Sequence, residues 1–258
     1  MDLALNNYRQ AVESDPKQAD PYYYVAATHA TKGNTAEAAQ WYKMALDIDP
    51  KHVRALVSYG LMLLKQRQFQ VAEVHLKKAN EIDGNRWQVH NGLGVICDYR
   101  RDYKCSAAHY QSAMQHNPNK AVVYTNWGYS KYLAGKWAEA KNFYDLAIQE
   151  DPHHEKAWAN LGLLHIRTQE YSKGMDAFRN IMGEPDAAST VGQICMVDKK
   201  YKRAEEFFNE AIKLTPSYNE TAHKQLDKVR EEMMREEAKG KNPLQCSPDD
   251  GEYSPFVN

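Results

Sequence analysis

Histidine and cysteine are the side chains through which this chain could hold a metal ion or attack a substrate. There are ten histidines and four cysteines in 258 residues. A zinc hydrolase needs two histidines one helical turn apart with a glutamate beside them, and a structural zinc site needs closely paired cysteines. Neither a His-Glu-x-x-His run nor a paired Cys-x-x-Cys occurs. His153 and His154 directly follow Pro152, where a turn between helices is expected, and His116 falls seven residues after His109, near a helix end. The histidines therefore read as surface or hydrogen-bonded helix residues, with no metal and no cofactor expected.

The cysteines are Cys97, Cys105, Cys195 and Cys246. Cys97 and Cys195 fall at equivalent places in a repeat, where a small apolar residue is wanted, so both read as core packing. A thiolate activated by a nearby histidine is the lesser alternative. No glycine-rich phosphate loop is present, and the dispersed Glu and Lys look like solvated helix faces, not paired acid–base carboxylates. No catalytic residue is assigned, and the chain is expected not to be an enzyme.

The elements that carry these residues recur on a fixed beat. Pro16, Pro50, Pro118 and Pro152 close successive units, with Gly84 standing where one proline would fall, and each step is 34 residues. Such a period marks stacked supersecondary units. In the first complete unit Tyr22, Val25, Ala26 and His29 share one helical face, Gly33 breaks the helix, and Ala38, Tyr42 and Ala45 mark a second helix. Apolar residues three and four apart bury one stripe of each helix. Later units repeat the template: Leu93, Gly94 and Cys97 with Tyr110 and Ala113, and Leu161 and Gly162 with Phe178.

The spacing predicts an all-α, right-handed solenoid of helix-turn-helix units. Residues 1–18 are the second helix of a truncated repeat, 19–218 six units, 219–239 a capping helix, and 240–258 a disordered tail. Pro152 to Pro216 is 64 residues, four short of two units, so the fifth unit is shortened near 182–184. Gly183 is expected at its helix C-terminus and Pro185 at the opening of the next helix. Because Met1 falls within a repeat, a preceding N-terminal part, with a targeting segment in it, is expected.

Charge narrows the partner. With 33 Lys and Arg against 34 Asp and Glu, the formal net charge is −1. Bulk attraction to nucleic acid or to an anionic membrane is not implied.

The Trp/Tyr–Leu–Gly run on each first helix, Ala–Phe/Tyr–Ala on the second and the closing proline resemble the tetratricopeptide repeat. That resemblance implies an interaction scaffold whose first helices line a groove. The residues it places there are Val57, Leu61 and Leu64, then Asn91, Val95 and Tyr99. They continue with Val122, Thr125, Asn126, Tyr129, Tyr132 and Leu133, and end at Leu163 and Ile166. The same register also includes Arg54 and Asp98. An apolar, tyrosine-bearing groove suits an amphipathic helix or an extended peptide of a partner protein. The carboxylate clamp of heat-shock-protein adaptors is only partly matched, by Asn126, Lys156 and Asn160, and that reading is set aside.

A narrower likeness lies in the third and fourth units. Asp98, Asn126, Ser130 and Gly135 fall in runs that resemble the TadD family of the tight-adherence (Flp) pilus system. This implies a lipoprotein at the periplasmic face of the bacterial outer membrane that helps assemble a pilus secretin. Its lipid anchor would lie in a part missing from this chain. A type IV pilotin-type factor would need the same groove. The alternative is a cytosolic adaptor or regulator binding a peptide or helix of its partner.

Overall fold

The computed structural model describes residues 2–116, 120–215 and 220–240. The described residues contain fourteen α-helices and no strand. They divide into two compact units, one ending at Gly135 and the other starting at Lys136. Among them no helix is long and apolar enough to cross a membrane.

The first unit holds α1 (Asp2–Ser14), α2 (Ala19–Thr31), α3 (Thr35–Ile48), α4 (Val53–Lys65), α5 (Phe69–Ile82), α6 (Trp87–Tyr99), α7 (Tyr103–Gln115) and α8 (Lys120–Leu133). The pairs α2–α3, α4–α5 and α6–α7 are antiparallel hairpins, and α2, α4, α6 and α8 also touch in series. One face is therefore built wholly from first helices. The second unit holds α9 (Trp137–Glu150), α10 (Glu155–Arg167), α11 (Tyr171–Arg179), α12 (Glu184–Val197), α13 (Tyr201–Leu214) and α14 (Glu220–Gly240). Its hairpins are α10–α11 and α12–α13, and α14 buries Ala222, Leu226 and Val229 while packing on α13 and α12.

A glycine on the first helix and a large residue on the second lock four of the five hairpins, Ala26 taking the glycine's place in α2–α3. A Cβ on Gly60 would stand 2.9 Å from Leu76, and one on Gly94 2.7 Å from the Tyr110 ring. The same approach pairs Gly162 with Phe178 at 2.8 Å and Gly192 with Phe208 at 3.0 Å. Removing the Cβ lets the second helix seat its bulky side chain directly on the backbone of the first. Ala26, Ala38, Tyr42, Leu56, Leu76 and Ile96 belong to one continuous core that runs from α2 to α6.

Two kinds of turn recur with the repeat. Within hairpins, the backbone turns through the left-handed region at Gly33, Arg67, Arg101, Gln169 and Lys199, with φ of 80°, 60°, 59°, 65° and 57°. Between hairpins, an aspartate carboxylate accepts from the backbone N–H two residues on. Asp15, Asp49, Asp83 and Asp151 bond Lys17, Lys51, Asn85 and His153 in this way, at 3.2, 2.9, 3.3 and 3.0 Å. This Asx turn forms equally before Gly84, so the aspartate, not the proline, is its constant part. Pro118, Pro216 and the expected tail from 241 onward lie outside the described residues.

At the irregular fifth unit, α11 is nine residues long where the other second helices of these hairpins have 13 or 14. Gly183 is not at a helix C-terminus. It is the extended N-cap residue of α12, with φ −64° and ψ 156°, and Pro185 sits in that helix's first turn. The break is made by Asn180, Ile181 and Met182, whose N–H groups bond Ala177 and Phe178 carbonyls in a tightened last turn. Proline in the first turn of α12 fits because no intrahelical acceptor is available there.

Candidate functional site

The candidate site is the first-helix face of the first unit, carried by α2, α4, α6 and α8. Periodicity fixes which residues point outward from each helix, and the seams between helices decide which of them stay accessible. At the α4–α6 seam, Leu61 and Leu64 lie over Gly92, where a Cβ would come within 3.2 and 3.7 Å of their methyl groups. Both leucines remain half-buried, giving a shallow apolar surface. At the α6–α8 seam, the Asn126 amide donates to the Asn91 side-chain oxygen at 3.0 Å. Val95 is half-buried against Tyr110, Ala113 and Val123.

Aromatic groups are carried on α6 and α8. Tyr99 is 55% exposed and stacks on Phe69, with ring centroids 4.0 Å apart. Tyr129 and Tyr132, one turn apart on α8, stack at 5.9 Å. Val122 and Leu133 are half-buried, and the Leu133 carbonyl accepts from the Tyr103 hydroxyl at 3.1 Å. Toward α2 the face becomes cationic and aromatic. Arg54 donates to the Tyr24 hydroxyl at 2.8 Å and to Asp20 at 2.5 Å. Its guanidinium lies 5.2 and 5.3 Å from the Tyr23 and Tyr24 ring centroids, within cation–π range. Hydrogen bonding from His52, then the Arg54 charge, holds the Asp20 carboxyl below its ordinary range.

Four residues that the repeat register places in the groove, two in each unit, are buried instead. Val57, Thr125, Leu163 and Ile166 are 7%, 2%, 4% and 0% exposed, respectively. Thr125 turns its hydroxyl back onto the Ala121 carbonyl at 2.8 Å. Ile166 fills the space over Gly174, where a Cβ would collide with it. Leu61, Leu64, Asn91, Val95, Tyr99, Val122, Asn126, Tyr129, Tyr132 and Leu133 keep accessible surface.

Asp98, which the groove register also pointed outward, is buried in a polar network instead. Its two carboxylate oxygens accept from the Tyr110 and Ser130 hydroxyls, each at 2.6 Å, and the Ser106 and Ser130 hydroxyls pair at 3.0 Å. Burial pushes the Asp98 carboxyl above its usual range, while the donated hydrogen bonds, from Ser130 and Tyr110 first, pull it back. The network ties α6, α7 and α8 together. Two residues of the narrower sequence likeness, Asp98 and Ser130, are thus bonded to each other, which gives them a structural role.

Cys97 is not simple core filler. It is disulfide-bonded to Cys105 across the α6–α7 turn, with their Cα atoms 5.8 Å apart. Cys195 does behave as packing: burial raises its thiol to about 11, so it is neutral near pH 7.

These hairpins, with their glycine-to-ring contacts and recurrent turns, define a helical-repeat protein. The chain carries tetratricopeptide repeats, matched to that family's pattern at residues 2–53 and 186–218. Human tetratricopeptide repeat protein 6 is 25% identical over 178 residues, covering 68% of this chain and 34% of the relative. The type IV pilus assembly protein PilF of Pseudomonas aeruginosa is 25% identical over 143 residues, covering 55% of this chain and 57% of the relative. The chain thus spans about a third and somewhat over half of these relatives' lengths. Among solved structures, PilW, described as a widely conserved type IV pilus biogenesis factor, superposes with a TM-score of 0.66. The two are 16% identical, with 82% of this chain and 97% of PilW covered, a likeness of fold alone.

Proposed function

We propose that this chain is a non-enzymatic interaction scaffold that docks an amphipathic helix or extended segment of a partner protein on the α4–α6–α8 face. The observation that carries this reading is the exposed Tyr99 and the stacked Tyr129–Tyr132 pair on the same set of first helices as half-buried leucines and the Asn91–Asn126 pair. Tyrosines give large contact area at low entropic cost, and an amide pair set among apolar groups supplies direction. The bound segment would place apolar residues three and four apart over Leu61 and Leu64.

The more specific reading is an assembly or pilotin-type factor of a bacterial Tad/Flp or type IV pilus system. Its partner would be a secretin or an accessory protein at the periplasmic face of the outer membrane. The similarity to PilF over 143 residues and the PilW-like fold support it. The experiment is capture from a native bacterial lysate with the parent chain and with a Tyr129→Ala/Tyr132→Ala/Leu133→Ala variant. A secretin or pilus component held by the parent and lost by the variant is the expected result. Equal capture by both would refute the face, and capture of cytosolic regulators alone would refute the pilus reading.

A further inference from the structure

Outside the docking face, chemistry gathers at the closed end of the α6–α7 hairpin. The Cys97 and Cys105 sulfurs and a ring nitrogen of His109 all lie within 4.8 Å of one another. Three features of the fold bring them there. The Asp102 carboxylate caps α7 by accepting from the Cys105 N–H at 3.0 Å. The Cys97 carbonyl accepts from the Asp102 N–H at 2.9 Å, which pins the end of α6 to the same turn. Cys105 and His109 are four residues apart on α7, so they share one helix face.

The histidine is also oriented. His90 Nε2 stands 2.9 Å from the Gly84 carbonyl, an acceptor only, so that nitrogen carries the proton. A neutral His90 then presents a lone pair at Nδ1, and His109 Nδ1, 3.3 Å away, donates to it. The relay leaves His109 Nε2 without a proton. A histidine whose other nitrogen is held in a hydrogen bond is the usual arrangement of a metal ligand.

We propose that Cys97, Cys105 and His109, when the cysteines are reduced, form a binding site for a thiophilic cation of the zinc class, with His90 as a positioning residue. Two sulfurs and one imidazole are the donor set that zinc prefers, with water at the fourth position. Tetrahedral zinc–sulfur bonds of about 2.3 Å place two sulfurs roughly 3.8 Å apart. The two Cα atoms already stand 5.8 Å apart across the turn. Cys97 is buried while Cys105 and His109 are half-buried, so the site has an apolar wall and a solvent side for entry.

The disulfide and the ion exclude each other. Opening the disulfide takes two electrons and two protons from a dithiol reductant, which closes its own disulfide. Each resulting thiol then releases its proton to solvent as its sulfur bonds the ion. In either state the turn end of the hairpin stays cross-linked.

The test uses the full chain carrying Cys195→Ala and Cys246→Ser, so that only the pair contributes sulfur. It is reduced with a tertiary phosphine, freed of reductant under argon, and titrated with Co(II) as the spectroscopic probe. One Co(II) per chain is expected, with a thiolate-to-cobalt charge-transfer band that Zn(II) displaces, and none in the disulfide form. Cys105→Ser, at a half-exposed position that tolerates the change, loses the stoichiometric site. His90→Phe keeps the spectrum but weakens binding by about 10–100-fold. A reduced parent without the band, or a Cys105→Ser variant that retains it, overturns the site. Far-ultraviolet circular dichroism checks that each variant is folded, and the reduced-against-oxidised comparison decides the matter without any variant.

Discussion

The α6–α7 and α10–α11 hairpins share one backbone plan and fill it with opposite chemistry. Each position of the first maps onto the second 68 residues later, two turns of the 34-residue beat. Asp98, Ser106 and Tyr110 in the first unit become Ile166, Gly174 and Phe178 in the second. The first trio is a hydrogen-bonded network that reaches Ser130 of α8. The second is apolar contact, with Ile166 and Phe178 both fully buried. Near the turn, Cys97 and Cys105 form a covalent link, while the corresponding His165 and Lys173 are joined through Glu170. The scaffold thus fixes shape and leaves polarity free, and polarity is where one hairpin acquires a specific partner for each group. A satisfied polar core adds specificity more than stability.

Transplanting polarity alone is the harshest way to break this comparison. Ile166→Asp buries a carboxylate opposite Phe178, which has no hydroxyl to offer. A loss of about 3–5 kcal/mol is expected in urea denaturation. The reverse change, Asp98→Ile, strands the Tyr110 hydroxyl while Ser130 keeps Ser106 as its partner, at about 1–3 kcal/mol for the hydroxyl left without one. Completing the exchange with Ser106→Gly, Tyr110→Phe and Ser130→Ala should bring stability back to within about 1.5 kcal/mol of the parent. Failure to recover would mean that the network does more than satisfy its own members.

The shared plan can be tested separately from its chemistry. Gly94→Ala and Gly162→Ala each drive a methyl into a ring, at 2.7 and 2.8 Å. Both should cost about 1–3 kcal/mol, and by similar amounts if the backbone geometry is common to the two hairpins. Acidity gives the smallest effects, and they run in opposite directions. Asp98 is held above its ordinary value in the folded chain, so its contribution is fullest at low pH and declines as pH rises through the folded value. Glu170 is held down to about 2, by Lys173 first and then His165, so its contribution is present above the ordinary carboxylate range and is lost as pH falls toward 2. Stability profiles of Asp98→Asn and Glu170→Gln against the parent should therefore diverge with slopes of opposite sign.

Helix identity and hairpin partners were legible because apolar spacing and the glycine-to-ring pairs are local signals. The repeat register was less able to say which residues stay open. It put Asp98 and Ile166 on the groove, whereas Asp98 is taken up by α7 and α8 and Ile166 by its own hairpin, because periodicity describes one helix without its neighbours. Thr125 was lost similarly, since burial at a seam depends on the next helix in the stack. The Cys97–Cys105 pair is eight residues apart. It was readable in principle, since a two-helix turn brings the last residues of one helix against the first of the next. Repeat register alone does not show it, because it assigns each cysteine a place on one helix and says nothing of the facing helix. The Asn91–Asn126 pair was visible as two groove residues, but their bond required knowing that α6 and α8 touch.

The left-handed turn residues carry a consequence for how far this chain could be pushed. Arg67, Arg101, Gln169 and Lys199 hold positive φ where Gly33 and Gly135 occupy the same place in other repeats. A side chain in that region is strained by roughly 1–2 kcal/mol, which glycine avoids while forfeiting part of the gain to its own chain entropy. Each of the four is therefore a site where a glycine would raise the melting temperature modestly, and in separate hairpins the gains should add. The chain thus holds an unused thermal margin at its turns, from which it could absorb the destabilising changes that a new binding face requires.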